Sequence, residues 1–187
     1  MTLRSMIQRV AEWDVRVSLG LQARRNRFMN FLCAVLSWSG AGGVWFSVGG
    51  GVWFAQWRGA GLVPKQAAFL ACMFCAFVVL LVGSVIKRLA KRPRPFTSSH
   101  GISAAIWAPG RARSFPSTHA ATSVALAVSL LVVGHPFAVA TSLWAAGVTF
   151  SRVWLGVHYA SDVIAGALLG TVFAFLPWEA ITRVGLP

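Results

Sequence analysis

Acidic residues are scarce in this chain: 187 residues carry four Asp and Glu in all, against 17 Lys and Arg. A carboxylate-rich metal centre is excluded on that count, because hard divalent cations need several oxygen ligands. Cysteine is scarcer still, with three residues, which excludes a disulfide scaffold. Charge of either sign makes up 11% of the sequence, less than half the usual share of a soluble domain, while 57% is hydrophobic, too much for a disordered chain. The first 27 residues contain no long apolar core and so do not read as a signal peptide.

What is present is a set of long uncharged runs. Phe28 to Trp57, Gln66 to Ile86, Ser114 to Ser151 and Val163 to Trp178 hold no Asp, Glu, Lys or Arg. About 20 largely apolar residues cross a bilayer core. The third run is long enough for two crossings and is divided by Gly134-His135-Pro136, a turn signal. The pattern predicts an all-α fold, a polytopic membrane helical bundle with five transmembrane helices at about 31–55, 66–87, 118–133, 137–154 and 159–179. Ahead of them Ile7, Val10, Ala11, Trp13, Val17 and Leu21 fall on one side of a basic helix, which predicts an N-terminal interfacial amphipathic helix within residues 1–27. Residues 1–187 form one domain, with the bundle over 28–181. With the net charge of +13 segregated from the apolar runs, anionic lipid or phosphate is the expected partner and nucleic acid is not.

Several local patterns invite other readings. Gly40-Ala41-Gly42-Gly43 and Gly49-Gly50-Gly51 lie in an apolar span without a preceding strand, so close helix packing is expected there, as for Gly166 and Gly170. Cys72 and Cys75 form a C-x-x-C inside an apolar helix with no second ligand pair, and read as small buried hydrophobes. Trp53, Trp57 and Trp178 near span ends read as interfacial anchors. The small-residue faces leave room for homo-oligomerisation.

Three polar clusters have no packing explanation: Lys87 to Pro95, Ser114 to His119, and Ser151-Arg152 with His158 and Asp162. Because successive helices alternate in direction, the end of span two, the start of three, the end of four and the start of five fall on one face. Lys87, Arg94 and Arg152 offer donors suited to phosphate oxygens. Pro116-Ser117 reads as a helix start, with Ser117 near the cap and free backbone N–H groups after it. His158 and Asp162, four apart, would stack on one helical face, the carboxylate holding one ring nitrogen and leaving the other as nucleophile or base. His119 could then protonate a leaving alkoxide. Asp162 is the only carboxylate in the clusters, too few for magnesium.

Lys87 with Arg94-Pro95 looks like K-x6-R-P, Pro116-Ser117-Thr118-His119 resembles P-S-G-H, and Ser151-Arg152 with His158 and Asp162 matches S-R-x5-H-x3-D. In this order the three motifs resemble the signature of the type 2 phosphatidic acid phosphatase family. The departure is Thr118 where glycine is usual. The resemblance implies a membrane enzyme hydrolysing a lipid phosphate or diphosphate, such as a polyprenyl diphosphate, phosphatidic acid or phosphatidylglycerophosphate, with no metal and no cofactor. It implies His158 as the nucleophile that becomes phosphohistidine, Asp162 as its orienting partner, and His119 as acid and then base. Lys87, Arg94, Ser117, Arg152 and the backbone near Thr118 would hold the phosphoryl oxygens. A lipid phosphotransferase using the same histidine and a non-catalytic lipid-phosphate binder are the alternatives. The expected location is the inner (plasma) membrane. Fourteen basic residues on the site's side against Arg58, Lys65 and Arg183 on the other favour a cytoplasmic site, whereas the resemblance favours the outer side.

Overall fold

The computed structural model describes residues 2–41, 64–108 and 113–176. Among them are six α-helices and no strand: α1 Leu3–Gln22, α2 Arg27–Ser39, α3 Pro64–Ala90, α4 Thr118–Val132, α5 Ala138–Trp154 and α6 Ala160–Phe173, with a short 3-10 turn at Pro95–Thr97. The all-helical expectation holds. Among the described residues one helical stretch, Phe69–Thr97, is long and apolar enough to cross a membrane, and Thr118–Val132 and Ala160–Phe173 are shorter apolar helices. At about 1.5 Å per residue these two reach little more than 20 Å. Helix α4 begins and ends within one residue of the expected 118–133, whereas α6 begins at Ala160 and ends at Phe173, short of the expected 179.

Small residues decide which helices meet. The buried face of α4 is made of Ala120, Ala121, Ser123, Ala125, Ala127 and Ser129 with Leu126 and Leu130, and this helix packs against α3, α5 and α6. The facing side of α6 supplies glycine. A Cβ on Gly166 would lie 2.4 Å from the Ser117 carbonyl oxygen, and one on Gly170 would lie 2.3 Å from that of Ala121. The two backbones touch, as the small-residue reading expects. Two side chains then satisfy carbonyls at the far end of α6: Ser129 Oγ donates to Ala174 O at 3.0 Å and Cys75 Sγ to Phe173 O at 3.0 Å. Cys72 and Cys75 are free and buried, in keeping with their reading as small apolar fillers.

The first expected crossing needs correction. Helix α2 starts earlier than residue 31, where Asn26 Oδ1 caps Met29 N–H at 2.8 Å, and it stops at Ser39 with Gly40 as its C-cap. The helix ends where the glycines begin, and a Cβ on Gly40 would lie 2.5 Å from Val148 Cγ1, so this glycine seats α2 on α5. The remainder of the expected span, Gly42, Gly43, Gly49-Gly50-Gly51 and the anchors Trp53, Trp57 and Trp178, lies outside the described residues.

Helix α1 is covered along only half of its length. Val17 and Leu21 pack against Val153, Val163 and Ala120, and Asp14 and Ser18 are buried with them. Leu3, Ile7 and Val10, on the same side about two to four turns before Val17, are exposed.

Candidate active site

The C-terminal ends of α3 and α5 and the N-terminal ends of α4 and α6 meet, so the four chain-distant pieces converge as alternation of helix direction requires. Ser117 is the N-cap of α4, its Oγ accepting from Ala120 N–H at 3.5 Å, while its own N–H donates to Asp162 O at 2.9 Å and ties α4 to α6. The amides of Thr118 and His119 have no carbonyl of their own helix to bond, by the geometry of any helix start.

Lys87, from the last turn of α3, is half-buried and reaches Thr118 Oγ1 at 3.5 Å. Arg94 follows in the chain leading to the 3-10 turn and Arg152 stands in the last turn of α5; both are buried, with Nε atoms that meet no acceptor among the described residues. Arg152 Nη1 donates to Ser37 Oγ on α2. All three cations lie within electrostatic reach of His119 and His158. Among the described residues none of the three makes an ion pair with a carboxylate. Of the described acids, Glu12 is exposed on α1, and both Asp14 and Asp162 are bound by Arg92. Buried cations without a counter-ion are costly. The arrangement therefore favours an anion brought from outside, and forked guanidinium donors beside helix-start amides suit phosphoryl oxygens.

His158 differs from its expected placement. It does not stand on a helix with Asp162. It lies in the turn Leu155 to Tyr159, just before α6, and is 1% exposed. Gly156 makes that turn with φ +71°, where a side chain would be strained and would meet Ser103 O at 2.5 Å. The N–H groups of Val157 and His158 both donate to Arg152 O, at 3.3 and 3.2 Å, so the histidine and Arg152 are held by one carbonyl. Arg25 clamps the turn from outside, donating from Nε to Trp154 O and from Nη1 to Ser103 O, each at 2.7 Å. Burial lowers the pKa of that guanidinium from its ordinary value.

Asp162 comes near His158 through capping rather than through helical stacking. As the third residue of α6 it turns back, and Tyr159 N–H donates to its Oδ2 at 2.9 Å. The same oxygen lies 3.6 Å from His158 Nδ1, a contact too long for a hydrogen bond. Burial, reinforced by the charges of Arg152, Lys87 and Arg94, pushes His158 well below the usual histidine range, the Ser114 backbone opposing weakly. Its imidazole is neutral at physiological pH.

Two residues were absent from the sequence-based site. Arg92 donates from Nη1 to Asp162 Oδ1 at 2.6 Å and to Ser161 Oγ at 2.7 Å, and from Nη2 to Asp14 Oδ2 at 2.7 Å, with its guanidinium 4.4 Å above the centre of the Tyr159 ring. Asp14 also accepts from Ser161 N–H at 2.9 Å, so a residue of α1 caps α6. The available signal was a carboxylate on the apolar side of an amphipathic helix, four residues after Val10. Thr118 is half-buried, and the neighbouring helix makes room for it: a Cβ on Gly83 would stand 3.2 Å from the Thr118 methyl.

Comparison with known proteins follows the same residues. The model of the PAP2 superfamily matches residues 67–185. Decaprenylphosphoryl-5-phosphoribose phosphatase of Mycolicibacterium smegmatis is 39% identical over 103 residues, covering 54% of this chain and 54% of that protein. Lipid A 4'-phosphatase of Bacteroides thetaiotaomicron is 31% identical over 50% of this chain and 44% of its own length. The chain thus spans about half the length of the curated relatives it matches. In fold it is similar to a transmembrane PAP2 type phosphatidylglycerolphosphate phosphatase from Bacillus subtilis, with a TM-score of 0.72 and 23% identity over 94% of this chain and 87% of that one.

Proposed function

Because the chain belongs to the PAP2 superfamily, whose model covers more than half of it, we propose that it is a membrane phosphatase that hydrolyses a lipid phosphate or diphosphate through a phosphohistidine at His158. The observation that carries this reading is the cluster of Lys87, Arg94 and Arg152 around two histidines, with Asp14 and Asp162 both already bound by Arg92. A protein that only held a phosphate would need the cations but not a neutral, buried imidazole beside a carboxylate.

The geometry supports a two-step displacement at phosphorus. Neutral His158 offers a ring-nitrogen lone pair to phosphorus while Lys87, Arg94, Arg152 and the amides at the start of α4, capped by Ser117 with Thr118 beside Lys87, neutralise the phosphoryl oxygens. As the P–O bond to the lipid breaks, His119 gives its proton to the departing oxygen. The imidazole ring becomes cationic on phosphorylation, and Asp162 Oδ2 faces that charge from 3.6 Å. A closure of about half an ångström would make the contact a charge-assisted hydrogen bond, the kind of tightening expected on substrate binding. His119, now without its proton, takes one from water, whose oxygen attacks phosphorus and frees His158 with inorganic phosphate. These positively charged side chains supply the electrostatic stabilisation that magnesium gives other phosphoryl-transfer sites, so no metal is required.

The bilayer is part of the proposal. Five crossings within a single domain over 1–187 would put the site at the lipid boundary, where the tail of the substrate stays in the membrane. Helix α1 would lie in the interface, with Leu3, Met6, Ile7 and Val10 towards lipid. Phosphate release in detergent with excess chelator, measured on a polyprenyl diphosphate, phosphatidic acid and phosphatidylglycerophosphate, tests the reading. Release from at least one, lost in His158→Ala, is expected. Release from none, or activity abolished by chelator and restored by magnesium, would contradict it.

A further inference from the structure

Resting on that reading, we propose that Asp14 is a positioning residue for the nucleophile: through Arg92 it sets the negative charge that Asp162 presents to His158.

Four charged or titratable groups stand in series. Asp14 and Asp162 are both fully buried, and Arg92 bridges them with one guanidinium nitrogen each, at 2.7 and 2.6 Å. Asp162 then faces His158 Nδ1. A carboxylate bound to a guanidinium all its own is largely neutralised, and it offers little stabilisation to an imidazole that turns cationic. Sharing Arg92 with Asp14 changes that. Two carboxylates on one cation leave the trio with a net charge of −1, and Asp162 Oδ2, which takes no hydrogen bond from Arg92, is the oxygen that faces His158 Nδ1. Four further contacts fix the bridge: Arg92 Nη1 on Ser161 Oγ, the Tyr159 ring under the guanidinium, the Ser161 N–H on Asp14 Oδ1, and the Ser161 hydroxyl donating to Asp14 Oδ2. Asp14 touches neither Lys87, Arg94 nor Arg152 by any hydrogen bond or ion pair among the described residues, so its effect falls on the chemical step and not on phosphate binding. The donor of this charge is α1, the helix whose first half leaves Leu3, Met6, Ile7 and Val10 exposed, so the seating of that helix is tied to the state of the nucleophile.

The test measures phosphate release by purified full-length protein in detergent, normalised to sites that bind vanadate. Asp14→Asn is expected to lower kcat per vanadate-binding site about 10- to 100-fold, the usual scale for a residue that supports a reacting group through another. KM should stay within about twofold, because no phosphate contact is lost. Asp14→Glu, which keeps the charge, should recover most of the rate. Ser161→Ala removes a hydroxyl from Asp14 but not its charge, and a purely structural role for Asp14 would make the two variants alike. In an Asp162→Asn background, Asp14→Asn should add almost nothing, since its only route to His158 is gone. Equal losses in Ser161→Ala and Asp14→Asn, multiplicative loss in the double variant, or an Asp14→Asn protein that no longer binds vanadate would each overturn the proposal. His158→Ala serves as reference: if it is inactive while Asp14→Asn turns over at the wild-type rate, this inference alone fails, whereas activity in His158→Ala removes the reading beneath it as well.

Discussion

The seam between α4 and α6 carries the site, and one methyl group should be enough to misalign it. In Gly166→Ala the new Cβ would start 2.4 Å from the Ser117 carbonyl oxygen and 3.3 Å from both Ala120 Cβ and Ala121 N. The first of these neighbours is backbone, so it cannot rotate away. Restoring ordinary van der Waals contact requires the helices to part by about 1 Å, an overpacking that costs about 1–3 kcal/mol. Alanine in place of glycine returns about 1 kcal/mol through helix propensity. Net stability therefore falls by no more than about 2 kcal/mol, and the protein should remain folded. The site should suffer far more. Ser117 caps α4 and bonds Asp162 O, so a separation here moves the helix-start amides and His119 away from His158 and Asp162. A displacement of about 1 Å among reacting groups costs about 100-fold in rate. The assay is kcat/KM for phosphate release beside the thermal midpoint in detergent, with Gly147→Ala as a control. At Gly147 the new Cβ meets the Leu36 side chain at 3.2 Å, which can move. The expected result is a loss of about 100-fold in Gly166→Ala with only a small drop in midpoint, and near-normal activity in Gly147→Ala. Wild-type kcat/KM in Gly166→Ala would refute the claim that contact between these helices sets the geometry of the site.

Three further predictions come from single groups. Arg152→Lys loses the planar fork and the bond to Ser37 Oγ, so kcat/KM should fall about 10²- to 10³-fold, the scale of removing one transition-state donor; an unchanged rate would make Arg152 a merely structural cation. Because the folded protein holds His158 below its ordinary value near 6.5, the unfolded chain binds the extra proton first. The contribution of neutral His158 to stability is thus complete above about pH 6.5 and lost as pH falls below it, and the thermal midpoint should drop between about pH 6.5 and 5 more steeply in wild type than in His158→Gln. Thr118→Gly should keep activity within about tenfold while losing up to about 1 kcal/mol of stability at the first turn of α4, as read by thermal unfolding.

How far the site could be read from sequence depended on whether a local rule governed each part. Helix direction alternates, so the convergence of Lys87, Ser117, Arg152 and His158 followed from counting apolar runs. Gly166 and Gly170 could be read because a four-residue spacing of small residues has one common use in apolar helices. Ser117 followed Pro116 at a helix start and is the cap. The placement of His158 was misread because a four-residue spacing has two solutions: a shared helical face, or a capping residue turning back on the residue before its helix. Gly156, with its positive φ, selects the second. The end of α2 at Ser39 was missed because hydropathy continues past Gly40, its C-cap. Asp14 and Arg92 lay beyond reach for another reason. Their contacts join residues 78 and 147 positions apart, and no periodic pattern records a pairing between three different elements. Only the cost of an acid on an apolar stripe hinted that Asp14 had a buried partner.

The central claim is covalent, and it is tested most directly by isolating the intermediate. The protein is mixed with a ³²P-labelled lipid phosphate, quenched in alkali within milliseconds because phosphohistidine is acid-labile, digested and mapped. The account predicts one labelled peptide containing His158, formed in the presence of chelator, absent from His158→Ala, and accumulating when His119 is replaced and hydrolysis is slowed. Label on any other residue, or full turnover with no phosphoenzyme at any time point, would contradict it.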